Sequence, residues 1–156
     1  MLWMCMCVWM ISGNTEINWV RNTYKLAVEQ SGKADELVNM TGNYGNNGVL
    51  MAYYGTGKAL QAKHGWNPAS RFALAREAAS LLNKSVMVSP QNLEVRFLRF
   101  SFESRAPSIL GLTLHTSEDK AWIMAHLDKK HPIWDTMKAF LKDCSLLTTT
   151  DKQKLN

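Results

Sequence analysis

A chain of 156 residues, 46% hydrophobic and 20% charged, has the size of one globular domain, and that balance excludes a disordered or fibrous protein. The formal net charge of +5 is spread evenly: residues 1–78 carry seven basic against five acidic side chains and residues 79–156 eleven against eight. With no block of like charge, the concentrated basic stripe of a nucleic-acid binder is excluded, and no nucleic-acid partner is expected.

The first segment, Met1 to Ile11, is apolar and is followed by Ser12 and Gly13. Eleven residues are too few for a transmembrane span, which takes about 20, but they match the apolar region of a secretory signal, with small residues where cleavage would occur. Residues 1–13 are therefore expected to be an export leader and 14–156 a single domain; the alternative is a cytoplasmic protein that keeps the segment. Three cysteines, Cys5, Cys7 and Cys144, do not make a disulfide framework.

Asn14 or Thr15 is placed to cap a first helix with Ile17, Val20, Tyr24, Ala27 and Val28 on one face, and Gly32 is placed to end it. A short helix over Lys33 to Met40 follows, then a Gly/Asn-rich loop at 41–48. Val49 to His64 reads as a helix whose Gly55 and Gly57 admit a closely packed neighbour. Asn67-Pro68 combines an N-cap with a proline at N1, and Phe72, Ala75, Ala79, Leu82 and Val86 trace the face of the helix it opens.

Ser89-Pro90 repeats that start. Leu93, Phe97 and Phe100 fall on one side of the next helix and Val95, Leu98 and Phe102 on the other, which predicts a central, sandwiched helix. A loop at Pro107 to Gly111, a helix capped by Thr116 or Ser117, and a helix from Pro132 facing inward with Ile133, Met137, Phe140, Leu141 and Cys144 complete the pattern, with a last short helix capped within Thr148 to Thr150. The predicted fold class is all-α, a compact bundle of about six to eight short helices.

Catalytic signatures are incomplete. Gly55-Thr-Gly-Lys58 resembles the end of a phosphate-binding loop, but Ala52 and Ala59 stand where its first glycine and its magnesium-binding hydroxyl belong. Ser117 and Lys120 have S-x-x-K spacing without the partner motifs of acyl-transfer enzymes. His64, His115, His126 and His131 contain no i, i+4 pair, so no metal, cofactor or catalytic residue is predicted. The candidate binding residues are Arg96, Arg99 and Glu103, which share a stripe on the central helix. Two guanidinium forks there suit a carboxylate or a peptide C-terminus lining a groove. Their structural reading pairs Arg99 with Glu103 at i, i+4 and Arg96 with a neighbouring helix.

The run Ser89-Pro-Gln-Asn-Leu-Glu-Val-Arg-Phe-Leu-Arg99, with the helix before it, resembles the junction between tetratricopeptide-type repeats over residues 68–104, without the full signature of about 34 residues. Over residues 60–130, Asn67-Pro68, the Pro90 to Arg99 run, the Pro107 to Gly111 turn and Asp119-Lys120 are similar to a family of small uncharacterised bacterial all-helical proteins. That resemblance implies a signal peptide and periplasmic location, and implies no reaction. The expected function is a non-catalytic helical interaction or scaffold module, partly repeat-like, binding a protein or peptide. The alternative is a small hydrolase-type enzyme using His115 or His126 with the loop at Pro107 to Gly111.

Overall fold

Asn47, Asn67 and Asn92 each stand in extended backbone and turn a side-chain oxygen onto the first free N–H groups of a helix. Asn47 accepts from Val49 and Leu50 at 3.0 and 3.1 Å. Asn67 accepts from Ala69 and Ser70 at 2.9 and 3.2 Å, and Asn92 from Val95 at 3.0 Å. Each cap is worth about 1 kcal/mol relative to alanine. In the computed structural model, which describes residues 12–156, they open three of the eight α-helices: α1 (Ser12–Ala27), α2 (Ser31–Thr41), α3 (Gly48–His64), α4 (Pro68–Val88), α5 (Leu93–Glu103), α6 (Thr116–Ala125), α7 (Trp134–Asp143) and α8 (Thr149–Gln153). The chain is all-α, with no strand among the described residues.

Several helix ends differ from the sequence expectation. The leader proposed at residues 1–13 lies outside the described residues except for Ser12 and Gly13, which already belong to α1, so Asn14 and Thr15 sit inside that helix. α1 ends at Ala27, not near Gly32, and α3 supplies the cap. Lys63 Nζ donates to the Val28 carbonyl at 2.5 Å and His64 Nε2 lies 3.0 Å from the Ala27 carbonyl, where a helix C-terminus favours basic groups. Gly32 belongs to the first turn of α2. Ser89 closes α4, leaving Pro90 in the turn, and α5 starts from Asn92. α7 begins two residues after Pro132, beyond a turn in which the Trp134 N–H donates to the His131 carbonyl at 2.8 Å. The last helix has the expected start, a capping box of Thr148 and Asp151.

α3 is the hub. It packs along α2 and α4, α5 crosses both α3 and α4, and α6 lies on α5. The two glycines of α3 permit this: a methyl group on Gly55 would stand 3.1 Å from Leu81 Cβ of α4, and one on Gly57 would stand 2.7 Å from Val38 Cγ2 of α2. α5 is the sandwiched helix that its two apolar faces predict, with every residue from Leu93 to Phe100 buried. The buried face of α4 is Ala75, Ala78, Leu82, Ser85 and Val86, not the expected Phe72 and Ala79 register; Phe72, in the exposed first turns of α4, is 42% exposed. One core cluster runs from Val20 of α1 to Leu155. Among the described residues no helix is long and apolar enough to cross a membrane.

Candidate functional site

The arginine stripe on α5 is built into the interior. Asp119 of α6 has no exposed surface and accepts from Arg96 NH1 at 2.8 Å, from Arg99 Nε at 2.6 Å and from Arg99 NH2 at 2.8 Å. Arg96 also donates to the Pro90 carbonyl at 2.8 Å and to Glu118, and it faces the Trp122 ring at 5.6 Å. The Arg96 hydrogen bond holds the Glu118 carboxyl below the usual range. Both guanidinium groups are thus engaged inside the molecule, and neither lines the large cavity. Arg99 pairs with Asp119 in place of Glu103.

Glu103 has a different task. Its carboxylate accepts the His115 backbone N–H at 2.7 Å and meets His115 Nδ1 at 2.8 Å, so it closes the N-terminus of α6 from outside that helix. This replaces the predicted Thr116 or Ser117 cap. With Glu118 and Asp119 in the first turn, three carboxylates gather at the positive end of the α6 dipole. Glu103 also borders a small polar depression of about 410 Å³ with Thr113, Thr116, Ser117 and Lys120.

A second buried cluster joins α5 to α1 and α3. Glu94, 1% exposed, accepts from Arg21 Nε at 2.9 Å, from Arg21 NH2 at 2.7 Å and from the Tyr53 hydroxyl at 2.5 Å. Burial pushes the Tyr53 phenol up, and Glu94 adds to the shift. His131 Nε2 stands 4.0 Å from the same carboxylate. Among the described residues no buried side-chain donor or acceptor lacks a partner, which makes the cluster a tie between helices.

The open feature is a groove of about 1060 Å³ lined by residues of α1, α3, α4, α5, the loop after α5 and α7. Phe102, Phe140, Leu60, Ala75 and Phe72 give it an apolar lining. Phe140 is fixed by edge contacts to Phe97 and Phe100, with ring centroids at 5.5 and 6.2 Å. Around the Tyr24 phenol lie the polar groups of the floor: burial pushes Tyr24 up to about 12 against the Ser101 hydroxyl and the Arg105 charge, which act to lower it. Two large apolar side chains stand exposed in the segments that carry lining residues: Trp66, two residues before Pro68, and Ile109, next to Leu110, at 90% and 92%.

The groove lining contains neither histidine nor cysteine. His115 is held by Glu103, and His126 stacks on Trp122 at 4.0 Å with Nδ1 on the Trp122 carbonyl, so the loop at Pro107 to Gly111 joins the groove without either ring. That loop is one 3-10 turn, Ser108–Leu110, ended by Gly111 at φ 64°, a conformation suited to glycine. Among the described residues no group of three His, Cys, Asp or Glu could hold a metal ion. Sequence reasoning missed Tyr24 and Arg105 as lining residues and missed the groove, for which no single segment carries a signal. No protein family, no curated protein and no solved structure matches the chain.

Proposed function

We propose that this chain is a non-catalytic helical interaction module that holds an apolar segment of a protein partner in the groove. The observation that carries the reading is the groove itself: an apolar trough at the upper end of ordinary ligand-site volumes, with neither histidine nor cysteine in its lining. Trp66 and Ile109, exposed in the segments that carry the lining residues Pro68 and Leu110, add apolar surface of the kind found at protein interfaces. Export to a bacterial periplasm and a repeat-like arrangement belong to the same proposal and rest on the apolar Met1 to Ile11 run and on the Pro90 to Arg99 resemblance.

The test is affinity capture from the native cell envelope with the natural chain and with Ala139→Trp. Ala139 is an exposed lining residue of α7, so an indole there fills the trough without entering the core. The expected outcome is a partner retained by the natural chain and lost by the variant. Identical capture by both chains removes the groove from the proposal.

A further inference from the structure

We infer that the groove reads the free C-terminal carboxylate of an apolar polypeptide, with Arg105 as its anchor. The inference rests on the reading of the groove as a partner site and names the chemistry of what enters it.

Arg105 stands two residues past the end of α5 and lines the groove. Its guanidinium lies 4.5 Å from the centroid of the Phe140 ring, the same ring that Phe97 and Phe100 meet in edge contacts. A guanidinium stacked on a fixed aromatic face keeps its fork of N–H donors in a defined plane. Among the described residues that fork forms no ion pair, although Glu29, Asp135 and Asp143 border the same groove. Two other cations of the lining are committed elsewhere: Lys63 donates to the Val28 carbonyl, and Arg71 Nε donates to the Ala62 carbonyl at 3.0 Å. The remaining one, Lys25, is exposed on α1 and, among the described residues, has no ring beneath it. Arg105 is therefore the preorganised unpaired cation beside the Ser101 and Tyr24 hydroxyls, and its fork matches the two oxygens of a carboxylate.

An exposed arginine–carboxylate pair contributes little on its own. Affinity must come from the apolar floor, and selectivity from the guanidinium, which together describe an apolar chain that ends in a carboxylate. A polypeptide fits better than an acyl chain because exposed Trp66 and Ile109 stand in the segments that carry the lining residues Pro68 and Leu110: a peptide whose last residues occupy the floor has preceding residues to lay against them, and an acyl chain confined to the trough has none.

The experiment uses the full chain and a set of synthetic apolar octapeptides, each made as the free acid and as the C-terminal amide, read by fluorescence polarisation, with oleate as a separate arm. The expected result is micromolar binding of a subset of free acids and at least about tenfold weaker binding of their amides. Arg105→Gln should erase that difference with an unchanged helical spectrum and melting midpoint, and Ala139→Trp should abolish binding of both forms. Equal binding of acids and amides overturns the inference and leaves the groove reading intact. A tenfold preference that survives Arg105→Gln overturns the assignment of the anchor. Oleate binding without peptide binding, or no binding at all, overturns the polypeptide; the groove reading itself fails only if Ala139→Trp also captures the same proteins as the natural chain.

Discussion

Asp119 shows how one carboxylate can govern a central helix. It is the shared acceptor of Arg96 and Arg99, and its removal leaves two guanidinium groups in the interior with only Glu118, Asn83 and the Pro90 carbonyl to answer them. Asp119→Ala should therefore destabilise by about 3 to 5 kcal/mol, the cost of breaking one side of a buried ion pair. Denaturant titration checks it, and a loss below about 1 kcal/mol would mean that water reaches the network. His131 predicts a pH effect. Its pKa lies below the ordinary 6.5, first through burial and also through the Arg21 charge, against the raising influence of Glu94 and Asp128. The folded state thus favours the neutral ring, and protonation favours unfolding. Stability is full above the ordinary histidine value and declines as pH falls through it toward the lowered folded value. Melts from about pH 7.5 to about pH 5.5 should show a larger drop for the natural chain than for His131→Gln; parallel curves would exclude His131 as the source.

Among the elements, α3 is the most constrained, because it accepts neighbours on opposite sides through small residues. Alanine is about 1 kcal/mol better than glycine inside a helix, so propensity alone predicts that Gly57→Ala stabilises. Packing reverses the sign: the added carbon meets Val38 Cγ2 at 2.7 Å and the Val38 backbone nitrogen at 3.3 Å, which forces α2 away from α3. Gly32→Ala is the control, since nothing lies within 4 Å of its added carbon in the first turn of α2. The expected outcome is a lower melting midpoint for Gly57→Ala and an equal or higher one for Gly32→Ala. A rise in both would show that α2 yields without cost.

For the whole molecule, closure depends on the C-terminus. The chain returns after α7 to bury Leu147 and, past α8, Leu155, which has no exposed surface and belongs to the same core cluster as Val20 of α1. Leu155→Ala should cost about 2 to 5 kcal/mol, close to a core leucine elsewhere, although the residue stands one from the end of the chain. A loss under about 0.5 kcal/mol would place α8 outside the cooperative unit. The groove also belongs to this scale: residues of α1, α3, α4, α5 and α7 meet to form it, and no one element contains it.

What the sequence by itself determined is local or periodic. Asn67-Pro68 starts a helix because the acceptor and the missing N–H lie within one turn of each other, and α5 reads as sandwiched because its two apolar stripes are set by the 3.6-residue period alone. Gly55 and Gly57 announced close neighbours for the same reason, since a missing side chain on a buried face has a local signature. Polar partners carry no such signature. The i, i+4 spacing of Arg99 and Glu103 suggested a pair, yet Asp119, 20 residues away, takes the arginine, and Glu103 turns to the N–H of His115, 12 residues on. Only tertiary structure decided these, because a buried charge pairs with whichever carboxylate the packing of α6 delivers, and the choice is made in space. The groove was decided in the same way: it is the volume that five helices leave between them, and no single segment encodes a space.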